Sequence, residues 1–130
     1  MDLISWKESY SVNNAVIDQQ HKRLISYINQ LHTAMKEAKG KEILQKILDD
    51  LVFYTKEHFS TEEKLMEKNN YPQTTFHKME HAKLTKEVVD LQKKYSAGKT
   101  SLTLDVMMFL KNWLNKHILE SDQKYKSFIN

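Results

Sequence analysis

Strong helix breakers are almost absent from this chain, and the positions of the three that occur constrain its fold more than any other feature. Gly40, Pro72 and Gly98 are the only glycines and proline, and they divide the 130 residues into four long segments. Within each segment apolar residues recur three and four positions apart, which is the spacing of an amphipathic helix. So few glycines argue against a turn-rich β-sandwich or a glycine-rich nucleotide-binding loop. The sequence therefore predicts an all-α protein.

The breakers also predict the topology. Gly40 and Gly98 lie where a helix C-terminus favours a residue with positive φ, and Ser101 is a suitable N-cap for the fourth helix. Because short connections require neighbouring helices to run antiparallel, we expect an up-down-up-down four-helix bundle. An extended N-terminal arm would be anchored by Trp6 and Val12. The expected elements of a single domain, 1–130, are the arm 1–18 and helices at about 19–39, 41–68, 73–96 and 101–121.

Composition excludes several classes of function. The chain has no cysteine, which excludes disulfides, zinc–thiolate sites, iron–sulfur clusters and a thiol nucleophile. Its formal net charge of +3 is spread along the chain without a basic cluster, so nothing indicates a nucleic-acid or membrane partner. The first residues lack the apolar core of a signal peptide, and no apolar run is long enough to span a bilayer. We therefore expect a cytoplasmic protein, whose Lys- and Glu-rich exposed faces suit a monomer.

The histidines are concentrated on the apolar faces of the predicted helices. Five of the six follow this pattern, near helix ends that an antiparallel bundle brings together: His21, His58, His77, His81 and His117. A lone histidine on an apolar face is ordinarily a hydrogen-bonded core residue. Five imidazoles that converge in a core of low dielectric constant cannot all carry a proton, because like charges there repel strongly. Neutral imidazoles that face one another need a lone-pair acceptor, so the pattern indicates a metal site.

Two carboxylates are candidates for the same site. Glu62 follows His58 by four residues, which places both side chains on one face of a helix. Asp122 follows His117 by five residues, about 140° around an ideal helix, so spacing alone favours a solvated helix end unless the last turn loosens. His32 lies about 16 Å along its helix from the first histidine of the cluster. It is expected to be a partly buried core or edge residue that binds no metal.

The set of candidate ligands suits two metal ions. Five nitrogen ligands and two carboxylates exceed the needs of one octahedral ion, and the carboxylates and a solvent-derived oxygen can bridge a pair. Imidazole and carboxylate without thiolate favour iron, with manganese, zinc and cobalt as lesser options. Helix-bundle di-iron enzymes that cleave O₂ carry more carboxylates, in paired Glu-x-x-His motifs, which these segments lack. Fewer anionic ligands stabilise high-valent iron less well, so we expect reversible O₂ binding rather than O–O cleavage.

Several blocks of the sequence resemble the hemerythrin family, most closely its single-domain bacterial members. The blocks are Trp6 with Ser11 and Val12 in the arm, 17–24 (IDQQHKRL), 58–66 (HFSTEEKLM), 71–72 (YP), 77–81 (HKMEH) and 113–122 (WLNKHILESD). They span nearly the whole chain in the family's order and spacing. The interval of five residues between His117 and Asp122 is the family's own, so the resemblance implies that Asp122 is a ligand, against the expectation from spacing alone.

The resemblance implies a centre of two unequal irons, with an open position for dioxygen on the one that has fewer histidines. The resemblance implies that one iron is bound by His77, His81 and His117, and the other by His21 and His58. It also implies that Glu62 and Asp122 bridge both irons, together with an oxo or hydroxo group. The residues that match the walls of the dioxygen pocket are Leu24, Phe59, Trp113, Leu114 and Ile118. These apolar side chains are expected to pack the core as well.

The leading hypothesis is an O₂-binding protein without catalytic residues, which stores oxygen or delivers it to an oxygen-consuming enzyme. Three alternatives stay open. A sensor would pass a change at the site to a partner, although its usual output domain has no room beside the bundle and arm. A di-iron enzyme acting on peroxide or nitric oxide would need an acid or base near the open position, and none is recognisable. A purely structural metal site would not need unequal ligation.

Overall fold

Four long helices make up most of the part of the chain that the computed structural model describes, residues 3–129; residues 1, 2 and 130 of the predicted domain lie outside it. The described range is all-α, without a strand, and α2 packs against α1 and α3 while α4 packs against α1. The elements are a 3-10 turn, Glu8–Tyr10, the helices α1 Ala15–Lys36, α2 Lys41–Lys68, α3 Thr74–Ser96, α4 Leu104–Lys116 and α5 Asp122–Tyr125, and a π-helical turn, His117–Ser121, between α4 and α5. The predicted four-helix bundle is confirmed. No described helix is long and apolar enough to cross a membrane.

Side-chain caps move the starts of two helices away from the predicted positions. Helix α1 begins at residue 15 rather than 19, because the side chain of Asn14 accepts a hydrogen bond from the Ile17 amide at 3.1 Å. Helix α4 begins at residue 104 rather than 101, because Thr103 caps it by accepting from the Val106 amide at 3.3 Å. Ser101, the predicted cap, lies outside the helix. Both differences arise because a cap needs a side chain in contact with a free amide, which apolar spacing does not report.

The two glycines have different roles. Gly98 follows the C-terminus of α3 with φ +72°, as predicted. Gly40, predicted to end α1 with a positive φ, instead has φ −63° and is the N-cap of α2. The positive φ at the end of α1 falls on Ala38, at +53°. That prediction was wrong because α1 ends before the glycine is reached.

We expect Gly98→Ala to lower the free energy of unfolding by about 1 kcal/mol, because a Cβ strains a backbone at positive φ. Only the Lys41 Nζ, at 4.0 Å, would meet the new Cβ, so crowding should add little. Gly40→Ser is the matched control, because the extended backbone there suits any residue and a serine N-cap should stabilise α2 slightly. Urea unfolding measures both variants; a Gly98→Ala protein as stable as the parent would contradict the expectation.

The arm is held by backbone and side-chain contacts with α1. Val12 is fully buried, as predicted, and its amide donates to Asp18 Oδ1 at 2.9 Å. Trp6 is only half-buried. Ile4 is the deeper anchor, because it is buried and both its amide and its carbonyl are hydrogen-bonded to the side chain of Asn29, at 2.9 and 2.8 Å. The arm thus packs along one side of α1.

Two apolar clusters fill the core, and a polar layer separates them. The larger cluster contains Leu24 on α1 and Leu114 on α4, and the smaller one contains Ile17 on α1 and Tyr125 on α5. His21 therefore lies between the two clusters on α1. The members of the smaller cluster are Val12, Ile17, Met66, Tyr71, Tyr125 and Ile129. The polar layer is where the predicted metal ligands meet.

Candidate metal centre

Seven buried side chains from α1, α2, α3, the π-helical turn and α5 form two overlapping groups whose candidate ligand atoms, within each group, lie within 4.8 Å of one another. The three-histidine group is Glu62, His77, His81, His117 and Asp122, and the two-histidine group is His21, His58, Glu62 and Asp122. These are the seven residues predicted from the sequence, and the two carboxylates belong to both groups. That they bind metal stays a prediction.

Two pairs of candidate ligands are built by the regular α-helical repeat. On α2, His58 Nε2 lies 2.8 Å from Glu62 Oε1, one turn further along. On α3, the rings of His77 and His81 are also one turn apart, with centroids at 4.6 Å. Because side chains four residues apart stack on one helix face, each pair points into the polar layer together.

The π-helical turn determines on which side Asp122 lies. Its amide donates to the carbonyl of His117, five residues earlier, so the helix is locally wider than an α-helix. Residues five apart then lie above one another, and Asp122 Oδ1 approaches His117 Nε2 to 3.0 Å. Asp122 is fully buried. The last turn is therefore loosened, as an inward-pointing Asp122 requires, and the solvated helix end that spacing alone favours is not what forms.

The hydrogen bonds around the groups turn lone pairs toward one another. His58 Nδ1 donates to Gln20 Oε1 at 2.7 Å, which leaves its Nε2 lone pair directed at Glu62 Oε1. His81 also donates outward from Nδ1, and its Nε2 lies 3.2 Å from His117 Nε2. Such acceptor pairs repel unless a proton or a metal cation lies between them. The geometry is therefore suited to bind a cation.

Buried polar atoms without a hydrogen-bond partner point to the same conclusion. All but one of those in the described residues belong to the two groups: both ring nitrogens of His21, Nε2 of His58 and His77, Oε1 of Glu62 and both carboxylate oxygens of Asp122. Several of these atoms face one another without hydrogen-bond geometry, as His21 Nε2 and Asp122 Oδ2 do at 2.9 Å, and this arrangement is costly unless a cation lies between them. Imidazole nitrogen and carboxylate oxygen without sulfur form a donor set that fits iron.

The electrostatics of the groups favour ionised carboxylates. Burial opposes the charge on Glu62, but the surrounding imidazoles hold its pKa well below the usual value. Burial also opposes the charge on His117, yet the negative charge of Asp122 raises the pKa of that imidazole well above the usual value. A positive charge is thus stabilised between these side chains, and a bound metal ion would replace a proton.

Three residues behind the candidate ligands were missed by the sequence reasoning. Gln20, Glu63 and Glu80 accept hydrogen bonds from the outer nitrogens of His58, His81 and His117. The hydrogen bond from His117 lowers the pKa of Glu80 to about 2, so that side chain is a carboxylate. All three partners come from a neighbouring helix, and no spacing in the sequence indicates such a contact.

Tyr125 was also missed, although its spacing offered a signal. Its hydroxyl donates to Glu62 Oε2, and its ring stacks on His77 with centroids 5.4 Å apart and an interplanar angle of 7°. Burial raises the pKa of Tyr125, which keeps the hydroxyl protonated as a donor. Tyr125 lies three residues after Asp122, a spacing that places two side chains on one helix face.

The residues expected to wall a dioxygen pocket are all buried, namely Leu24, Phe59, Trp113, Leu114 and Ile118. Phe59 stacks on His81 with ring centroids 3.9 Å apart and an angle of 6°. The other four belong to the larger apolar cluster, next to the polar layer. An apolar boundary of this kind would limit the access of water to the candidate ligands.

We expect His32→Ala to keep the full metal content of the protein, because His32 belongs to neither ligand group. His32 is 8% exposed, and burial lowers its pKa so that it packs as a neutral side chain. The variant should lose about 1–2 kcal/mol of stability through lost packing. Elemental analysis and urea unfolding measure the two effects. A lost metal ion would show that His32 takes part in the centre.

Comparison with known proteins identifies relatives along almost the whole chain. The model of the hemerythrin HHE cation-binding domain matches residues 12–129. The bacteriohemerythrin of Methylococcus capsulatus is 36% identical over 96% of this chain and 95% of its own length. That of Stenotrophomonas maltophilia is 34% identical over 96% of this chain and 80% of its own length. The crystal structure of a wild-type hemerythrin superposes with a TM-score of 0.91 at 34% identity, covering 98% of both chains.

Proposed function

Because this chain belongs to the hemerythrin family, we propose that it binds dioxygen reversibly at a di-iron centre and serves to store oxygen or to deliver it to oxygen-consuming enzymes. The observation that carries the proposal is the pair of overlapping groups of candidate ligands, whose buried nitrogen and oxygen atoms include many without a hydrogen-bond partner. His77, His81 and His117 would hold one iron, His21 and His58 the other, and Glu62 and Asp122 both. Two irons held by these residues would supply the electrons for the binding of dioxygen.

The residues around the ligands favour binding over catalysis. Tyr125, Glu63 and Glu80 are titratable neighbours that are not themselves proposed ligands, and each is already engaged with one. A general acid or base would need to exchange a proton with a substrate. The apolar side chains of Leu24, Leu114 and Ile118 meanwhile exclude water from the same region. Exclusion of water and protons slows irreversible oxidation of a bound metal centre.

An anaerobic oxygen titration tests the proposal. The iron-loaded protein is reduced, exposed to stepwise additions of O₂, and then deoxygenated, with iron counted on the same sample. We expect two irons per chain and a visible absorption band that appears with O₂ and disappears on its removal. Rapid irreversible oxidation would favour a sensor or an enzyme. Zinc, or fewer than two metal ions, would overturn the di-iron proposal.

We expect Leu114→Ala to keep both irons but to autoxidise several-fold faster, because water gains access through the space that the shorter side chain leaves. Leu114 is 2% exposed and packs in the larger cluster, so the variant should also lose about 3 kcal/mol of stability. Leu110→Ala is the matched control, since Leu110 is fully buried one turn earlier on α4. Decay of the oxygenated band measures the rate. Equal rates in the two variants would refute a role of Leu114 in excluding water.

A further inference from the structure

The outer hydrogen bonds of the ligands differ between the two groups. In the three-histidine group, His81 Nδ1 donates to Glu63 Oε2 at 2.8 Å, and His117 Nδ1 donates to Glu80 Oε1 at 3.4 Å. The hydroxyl of Ser121 donates to both oxygens of Glu80, at 2.5 and 2.6 Å, and holds that carboxylate in place. Two negative charges therefore stand behind the imidazoles of this group.

No charge stands behind the two-histidine group in the described residues. His58 Nδ1 donates to the amide oxygen of Gln20 at 2.7 Å. The Gln20 amide nitrogen in turn donates to Thr61 Oγ1 at 3.4 Å, so the side chain is held with its oxygen toward the imidazole. His21 Nδ1 is buried and has no hydrogen-bond partner. In this group, one outer ring nitrogen thus donates to a neutral amide and the other has no hydrogen-bond partner.

This difference changes how strongly the imidazoles donate to a metal. A carboxylate that accepts the outer N–H raises the basicity of the ring and stabilises the positive charge of a bound ion. A neutral amide orients the ring without adding charge. The three-histidine group also has one more imidazole than the other. Both the outer carboxylates and the additional imidazole favour tighter metal binding in the three-histidine group.

We propose that Glu63 and Glu80 are positioning residues that make the three-histidine group the tighter metal position, which fills first, and leave the two-histidine group as the exchangeable one. The proposal rests on the proposed di-iron function and deepens it, because it assigns an order of loading to the two ions. A protein carrying one ion would then hold it between His77, His81 and His117. The position served by Gln20 would be empty in that form.

Titration of the chelator-stripped protein with Co²⁺ tests the order of loading, because Co²⁺ absorption in the visible range reports both the number and the coordination of bound ions. We expect the parent protein to bind two ions in two resolved steps. Glu63→Gln and Glu80→Gln keep an oxygen acceptor for the imidazole and remove only the charge. Each should weaken the first step by about 10–100-fold and leave the second unchanged.

Matched variants separate charge from structure. Glu67→Gln also removes a carboxylate from α2, but Glu67 pairs with Lys78 and contacts no ligand, so both steps should be unchanged. Gln20→Glu adds a charge behind His58 and should strengthen the second step. Glu63 and Glu80 are 27% and 36% exposed, so their glutamine variants should fold normally.

Two further variants assign each step to its group. His77→Ala should abolish the tight step, whereas His58→Ala should abolish the weak one. Equal affinities for the two ions, or glutamine variants indistinguishable from the parent, would overturn the proposal. The parent protein could instead bind a single ion, with an affinity that falls in Glu80→Gln. That result would support the role of Glu80 as a positioning residue, but it would overturn the two-ion centre of the proposed function.

Discussion

Replacing His117 with alanine should reduce the metal content from two ions per chain to one at most. The side chain is 2% exposed, and its Nε2 lies 3.0 Å from Asp122 Oδ1 and 3.6 Å from Glu62 Oε1. Without it the three-histidine group keeps only two imidazoles. Because the energy of metal binding is also folding energy, a loss of about 100-fold in affinity would remove about 2.7 kcal/mol of stability from the loaded protein.

The metal-free protein separates this effect from lost packing. A cavity at position 117 should destabilise metal-free and metal-loaded forms alike, by about 2–4 kcal/mol. The metal-linked part is the difference in unfolding free energy between the loaded and the chelated protein, and this difference should shrink only in His117→Ala. His32→Ala, another buried histidine, is the control in which the difference should persist. Two bound ions in His117→Ala with the parent's affinity would show that His117 is no ligand.

Replacing Asp122 with asparagine should weaken the binding of both metal ions, because Asp122 belongs to both ligand groups. Its two oxygens lie 2.9 Å from His21 Nε2 and 3.0 Å from His77 Nε2. The amide keeps the size of the side chain but removes the negative charge, so we expect fewer than one ion per chain. The metal-free variant should be less stable than the metal-free parent, because the amide leaves the buried imidazolium of His117 without its charged partner. Elemental analysis and urea unfolding with and without chelator measure both outcomes.

A double variant tests whether the π-helical turn places this carboxylate. Ser121→Asp with Asp122→Ser moves the acid to four residues after His117, the position that would face the ligands in a regular α-helix. In the structure residue 121 faces Glu80 instead, so the new carboxylate would meet a like charge. We expect no recovery of metal binding over Asp122→Ser alone. Recovery would mean that the turn is regular in solution.

The prediction of the fold succeeded where it rested on local periodicity. Apolar residues at helical spacing and three breakers indicated four helices, and α2 has the predicted bounds, Lys41–Lys68. The starts of α1 and α4 differed because Asn14 and Thr103 cap them through single side-chain hydrogen bonds. Gly40 differed because α1 ends before it. A cap or a positive φ is set by one residue's contacts, so a periodic pattern locates it only to within a few positions.

The sequence by itself determined which side chains share a helix face and which helix ends meet. Those two facts were enough to bring five histidines and Glu62 to one layer of the core, since a four-residue repeat and short connections leave little freedom. Only the tertiary structure decided the rest. The π-helical turn that directs Asp122 inward, and the contacts of Gln20, Glu63 and Glu80 with histidines on other elements, depend on how neighbouring helices are rotated and shifted against each other. That register is set by packing of the whole core, and no spacing within one helix records it.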